Sequence, residues 1–325
     1  MKHSNQSRMT AGYSPASEEE HLKARIAWFY FVGGMTQQQI ADQMGVTRLR
    51  VNRTIGQVRA EGSVYIDLRL PLADCVMLEE EIRKRYDLEQ VLVVPTMDGY
   101  GKMQRTIGEA AGQMLQAHLP RHRGLGVGWG QTLSHSVRRI CGQKGNLDHV
   151  VGLMGAIPHG SGSNTIEVAT AMARRLDVEC YYLTAPIFCR SAEIREALLG
   201  DEDLADAMTK ADAAEVALVT CGDLSHHSSV MSLTMVRKAL PELEELETVG
   251  DILGCFLSAD GEIIDHPLNR SIIALSPELL RNKPVSILAS GGRNKLPITR
   301  AILRGGYVNR LVTDESVARA LIYET

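Results

Sequence analysis

From Gln90 onward, short apolar runs alternate with helical stretches, and this alternation constrains the fold more than any other feature of the 325 residues. VLVVP at 91–95, GLGVGW at 124–129, VVGLMG at 150–155, CYYLTAP at 180–186 and VALVTCG at 216–222 predict strands. Between them the apolar spacing predicts helices over about 103–119, on to 141, over 165–176 and through 191–213. Near-continuous apolar strands separated by helices build βαβ units and hence a parallel sheet covered on both faces. DILGCFL, EIIDHP, SIIAL, VSILASGG and YVNRLVTD continue the strand series, with helices expected at 297–304 and 314–323. The expected fold class is therefore α/β, a Rossmann-like domain spanning 90–325.

The N-terminal part follows a different pattern. Residues 1–17 are polar, with Ser, Gly and Pro, and predict a flexible arm; Ser17 is placed to cap a helix from Glu18 to about Val32, with Leu22, Ile26 and Phe29 inward. In MTQQQIADQMGVTRLRVNRTIGQVR, at 35–59, Thr36 and Gln39 stand at capping-box spacing, so a helix starts there. Gly45 can end that helix in the left-handed conformation, and Thr47 can cap the next. Val51, Ile55 and Val58 repeat at helical spacing, which leaves Arg48, Arg50, Asn52 and Arg53 on the exposed side of the end that enters a major groove in a helix-turn-helix. Arg can pair with guanine and Asn with adenine. Thr36 and Gln37, opening the first helix of the pair, complete the candidate DNA-binding set with Thr47. A structural helical hairpin with a solvated basic face fits the same residues. The expected DNA-binding domain covers 18–63. A half-buried strand alternating from Val64 to Leu70, then an amphipathic helix over 74–86 with Val76, Leu78 and Ile82 apolar, reads as a linker over 64–89.

Charge separates the two parts. The chain carries −4 overall, yet residues 1–62 hold eight Lys and Arg against five Asp and Glu, a balance of +3. DNA affinity is thereby confined to the N-terminal part. The six cysteines form no CxxC pair and lie in apolar segments, the usage of reduced thiols in a cytoplasmic protein. Neither a signal-peptide core nor an apolar run near 18 residues is present, so no membrane partner is expected. His226 and His227 are adjacent, and His135, His159 and His266 lack a local ligand pattern, so neither metal nor cofactor is expected.

In an open parallel sheet, ligands sit beyond the carboxyl ends of the strands. Three loops there carry the candidate site. In GLGVGWGQT, Gly126, Gly128 and Gly130 let backbone approach an anion and Thr132 opens the next helix, although such a turn serves packing as often as phosphate binding. In SGGRNK, Gly291 and Gly292 free amides and Lys295 supplies charge; a solvated surface lysine fits equally. In SADGE, Asp260 offers a hydroxyl acceptor or simply an ordinary turn with Gly261.

Taken together, MTQQQIADQMGVTRLRVNRTI, GLGVGWGQTL, DILGCFLSADGEIIDHPLNR and SILASGGRNKLPITRAILRGGYVNRLVTDE resemble, in this order, the SorC/DeoR-type bacterial transcriptional regulators over about residues 20–322. The resemblance implies a winged-helix-like DNA-binding domain and an effector domain of the sugar-phosphate isomerase and deaminase type. It also implies double-stranded operator DNA and a phosphorylated sugar or polyol as partners, in a homo-oligomer, typically a tetramer. Carried onto this chain, it assigns Gly128, Gly130 and Thr132 to the phosphate loop, Asp260 to the acidic turn, and Gly291, Gly292 and Lys295 to the GGxxK loop. The alternative is an isomerase or deaminase on the same fold, since GVGWGQT is similar to the phosphate loop of ribose-phosphate isomerases. Their carboxylate cluster is replaced here by ADGEIID, with no general base at matching spacing. No catalytic residue is assigned.

Overall fold

The structure, a computed structural model, describes residues 15–61, 63–64, 73–141, 145–158, 164–225 and 228–324. The chain divides into two compact units at Leu70 and Pro71.

In the first unit α1 (Pro15–Phe31), α2 (Gln37–Met44) and α3 (Arg48–Ala60) enclose Ile26, Ile40, Ala41, Val51 and Ile55. The first helix starts at Pro15, so Ser17 lies inside its opening turn and not ahead of it; proline's fixed φ suits the first turn of a helix. The capping box is closed: Gln39 N–H donates to Thr36 Oγ1 at 3.3 Å and Thr36 N–H to Gln39 Oε1 at 2.9 Å. Gly45, at φ 65°, ends α2 in the left-handed region, and the Thr47 hydroxyl accepts from Arg50 N–H at 3.2 Å to start α3. The strand expected at 64–70 and most of the expected arm lie outside the described residues.

In the second unit, seven strands pair in parallel: β1 (Gln90–Val94), β2 (Leu125–Val127), β3 (His149–Gly152), β4 (Glu179–Tyr181), β5 (Val216–Val219), β9 (Val285–Ala289) and β10 (Arg310–Asp314). Their order is β1-β10-β9-β5-β2-β3-β4. The strands β6 (Cys221–Gly222), β7 (Thr248–Ile252) and β8 (Cys255–Ser258) form a separate antiparallel sheet. DILGCFL, expected as one strand, is thus the β7–β8 hairpin, turned at Leu253 and Gly254, which both take positive φ. EIIDHP and SIIAL form only isolated bridges, Leu257 with Ile263, Phe188 with Ile272 and Met154 with Ala274. They are apolar because they pack onto the core, not because they continue a ladder.

The helices are α4 (Ala73–Arg85), α5 (Tyr100–His118), α6 (Gln131–Ser136), α7 (Thr165–Leu176), α8 (Ala192–Leu199), α9 (Glu202–Ala213), α10 (Thr234–Glu245), α11 (Pro267–Arg270), α12 (Pro277–Leu280), α13 (Leu296–Arg304) and α14 (Glu315–Tyr323). Helix α10 was not expected, and Pro241 lies within it. Helix α4, expected as part of a linker, is integral to this unit. Cys75, Leu78 and Ile82 enter the main core while Val76, expected inward, is 61% exposed. The positions i, i+3 and i+7 make one stripe of a helix, and Val76 falls beside it. Glu79 accepts from the Val93 N–H at 2.9 Å and Arg319 donates to Asp74 at 2.7 Å, fixing α4 to β1 and α14.

Helices α5 and α6 approach closely because α5 carries glycines where they touch. A Cβ on Gly108 would overlap the Thr132 carbonyl oxygen and lie 2.8 Å from His135 Cβ, and one on Gly112 would overlap the Ser136 carbonyl oxygen. Overpacking of this kind costs roughly 1 to 3 kcal/mol. Gly108→Ala is therefore expected to lower unfolding free energy by about that amount in denaturant titration, whereas Gly101→Ala in the first turn of the same helix, with nothing within 4 Å of its Cβ, is expected to be neutral or slightly stabilising.

Candidate functional site

The strand order defines where a ligand can sit. From β2 the chain moves outward to β3 and β4, and from β9 it moves the opposite way to β10, so the connections diverge around β5. A crevice opens at such a switch point. Here a cavity of about 210 Å³ lies between Trp129, Gly130 and Thr132 after β2, Thr220, Cys221 and Ser228 after β5, and Lys295 after β9, with Gln104 of α5 at its side.

Hydrogen bonds hold these three loops together. Thr220 Oγ1 donates to the Trp129 carbonyl at 2.8 Å. The Cys221 thiol lies 3.0 Å from Ser290 Oγ, which is 2.8 Å from Thr299 Oγ1, joining the β5 and β9 loops through α13. Asn294 Nδ2 donates to Asp223 Oδ2 at 2.8 Å and so fixes the residue next to Lys295. Lys295 is only 9% exposed, and among the described residues its ammonium makes no hydrogen bond or ion pair. An anion that enters the cavity can pair with this ammonium through charge-assisted hydrogen bonds.

Other expected residues fall elsewhere. Gly126 pairs inside the sheet, between Val151 and Ala217, and a Cβ there would lie 2.9 Å from Leu153 Cγ; its role is packing. The Gly128 N–H is spent on the Leu218 carbonyl at 3.0 Å, extending the β2–β5 pairing. The Gly292 N–H donates to Asp314 Oδ2 at 2.7 Å, and a Cβ on Gly291 would lie 2.6 Å from that oxygen. The SGG loop is thus pinned by the carboxylate that also caps α14, and of its candidates only Lys295 reaches the cavity. Asp260 is displaced furthest. Its side chain is 88% exposed and lies 3.7 Å from Arg304, at the C-terminal end of α13, while Lys295 stands at the N-terminal end. A nine-residue helix spans roughly 13 Å, so the two cannot hold one small phosphate ester together.

A different carboxylate is near Lys295. Asp251 of β7, 2% exposed, pairs across the small sheet with Gly222, which lines the cavity. Its Oδ2 accepts from the Gly254 N–H at 2.9 Å, and its Oδ1 is without a partner. The Ser228 hydroxyl is likewise buried and unpartnered, and a Cβ on Gly222 would overlap both oxygens. The unpartnered Ser228 hydroxyl and the Lys295 side chain thus line one cavity, and the unpartnered Asp251 oxygen lies behind Gly222 in its wall. Asp251 was legible as the lone carboxylate in the apolar run TVGDILG. Burial pushes its pKa up to about 7 against the Gly254 hydrogen bond and the Lys295 charge, with Asp223 adding to the rise.

The first unit presents a second candidate surface. Arg48, Asn52 and Arg53 are exposed, and Gln37 Nε2 donates to Asn52 Oδ1 at 3.3 Å. Thr36 and Thr47 cap the two helices. Arg50 is also exposed but lies on the other flank of α3, where it lines a groove with Glu19, Glu20 and Thr54. Among the described residues no cluster of His, Cys, Asp and Glu could hold a metal, and no helix is long and apolar enough to cross a membrane.

A capped two-helix reading motif in one unit and a doubly wound sheet with a polar, lysine-containing cavity in the other define the class of ligand-responsive regulators. A sugar-binding domain family matches residues 71–323. The chain is 30% identical over 328 aligned positions to transcriptional regulator LsrR of Escherichia coli K12, covering 97% of this chain and 99% of that one. It is 29% identical over 312 residues to the erythritol catabolism regulatory protein EryD of Brucella abortus, covering 94% and 98%. The full-length sorbitol operon regulator SorC of Klebsiella pneumoniae has a similar fold, with TM-score 0.73 at 21% identity over 94% of this chain and 100% of that one. The chain belongs to the SorC-type family of sugar-binding transcriptional regulators, and it is a regulator, not an enzyme.

The buried Asp251 makes stability depend on pH. Its native pKa is raised, so between about pH 4 and 7 the unfolded chain releases a proton that the native state keeps. The stabilisation is complete below pH 4 and is lost as pH rises through 7. Asp251→Asn is expected to flatten the stability profile across that window and to raise the melting temperature at pH 8 relative to wild type, read by thermal melts at stepped pH. An unchanged slope would place the charged carboxylate in a solvated setting.

Proposed function

We propose that this protein binds operator DNA through α3 and releases or engages it in response to a phosphorylated sugar or polyol held in the cavity at the ends of β2, β5 and β9. The observation that carries the effector reading is Lys295, a 9% exposed residue that lines the cavity and whose ammonium makes no ion pair among the described residues. A phosphate supplies the counter-charge, with the uncapped turn at Gly130 and Thr132 beside it. The unpartnered Ser228 hydroxyl, which lines the same cavity, then faces a ligand hydroxyl. The names of EryD and SorC, an erythritol catabolism regulator and a sorbitol operon regulator, support a polyol or sugar as the carbon skeleton. Acting on DNA, the protein works in the cytoplasm. A homotetramer fits the task, because one helix-turn-helix with a +3 balance makes few contacts and palindromic operators mirror two-fold symmetry.

The ligand shifts DNA affinity only as far as it binds two arrangements of the oligomer unequally. Lys295→Ala removes a charge-assisted contact of roughly 1.5 to 3 kcal/mol, a loss of about ten-fold to a hundred-fold. Calorimetric titration with C4 to C6 polyol and sugar phosphates, and with their unphosphorylated forms, is expected to show that loss for the esters alone. Equal affinities of wild type and variant for every ester would remove Lys295 from the site.

For DNA, alanine at Arg48, Asn52 or Arg53 is expected to cost roughly 1 to 3 kcal/mol where the residue meets a base, and a phosphate contact shows as a smaller salt slope. Arg50→Ala, on the groove beside α1, is expected to have the smallest effect. Binding at two salt concentrations, with the mass of the complex taken by light scattering, measures both parts: four unaffected variants would overturn the reading helix, and a single copy held tightly on a half-site would overturn the tetramer.

A further inference from the structure

Leu49 is 77% exposed, more than any other large apolar residue among those described. A single exposed leucine is ordinary on a globular surface, but its position here is not neutral. It lies in the first turn of α3, between Arg48 and Arg50, and it is not part of the unit's core, which takes Val51 and Ile55 from this helix. At about 100° per residue it projects roughly 160° from Val51, on the same outward face as Arg53 four residues on. The remaining residues exposed on that face are polar or small: Asn52, Arg53, Gly56 and Ala60. An apolar group at the leading end of a reading helix, flanked by guanidinium groups that can hold phosphates, meets one apolar feature in a major groove, the 5-methyl group of thymine.

We infer that Leu49 is a specificity-determining residue that contacts a thymine methyl group in each operator half-site. The inference rests on the reading of α3 as the DNA-contacting helix, and it adds a contact to the thymine methyl group that hydrogen-bonding residues do not make. Asn52, steadied by Gln37 at 3.3 Å, and Arg53 read donors and acceptors, whereas Leu49 distinguishes thymine from cytosine or uracil through a methyl group alone.

The test uses the full chain and a duplex enriched by the wild-type protein from a randomised pool. Each thymine in that duplex is replaced singly by deoxyuridine, which deletes only the methyl group. For wild type, one substitution per half-site is expected to weaken binding about four-fold, the effect of one buried methyl. For Leu49→Ala, which leaves a good helix former at an exposed site, the same substitution is expected to have no effect. Uniform indifference of wild type to deoxyuridine, or a penalty that persists in Leu49→Ala, would overturn the inference. Enrichment of no duplex by wild type would instead overturn the assignment of α3 itself, and the two failures are distinguishable. Circular dichroism of Leu49→Ala confirms that the helices are retained.

Discussion

Every pairing in the seven-stranded sheet is parallel, and this constraint organises most of the larger unit. A parallel strand cannot be followed by a tight hairpin to its neighbour, so each return crosses a face of the sheet and delivers the chain back to the same edge. All the strand-to-helix loops therefore gather at one edge. Where successive connections diverge, around β5, no crossover covers the gap, and there the loops after β2, β5 and β9 leave the cavity that contains Lys295.

Holding an unpaired ammonium in such a place needs support from the surroundings. The Cys221, Ser290 and Thr299 contacts and the Asn294 to Asp223 hydrogen bond fix the loops, while Asp314 pins Gly292. These groups hold the geometry without neutralising Lys295. The buried carboxylate of Asp251 lies close enough to feel its charge, yet desolvation dominates at that site. The cavity is therefore polar, with a lysine that makes no ion pair and a Ser228 hydroxyl without a partner among the described residues.

A contrast appears in the second lysine that folding buries, Lys283, 4% exposed. Its ammonium donates to the carbonyls of Ala211, Asp212 and Ala214 at 2.7 to 3.0 Å, closing the C-terminal end of α9. Burial lowers its pKa to about 8. One buried lysine is consumed by backbone oxygens and is structural; the other faces a cavity. Composition does not distinguish them, because the difference lies in which carbonyls the tertiary fold brings within reach.

Local chemistry fixed what could be settled within a few residues. The Thr36 to Gln39 box, the Gly45 turn, the Thr47 cap and the Val51, Ile55 and Val58 stripe all depend on neighbours in sequence, and each is found in place. Strand and helix alternation likewise determined the α/β class. The partners of a glycine or a carboxylate, by contrast, were decided at long range. Gly126 looks like part of a phosphate loop but packs under Leu153, and Gly292 looks like a free amide until Asp314 of the neighbouring strand takes it. Asp260 and Asp251 show the limit most directly. Both lie at or beside tight turns of the small antiparallel sheet, but the first is carried to the solvent end of α13 and the second is buried behind Gly222, a residue of the cavity wall, by their pairing. A register between strands separated by 29 positions made that choice, and no window of local sequence contains it.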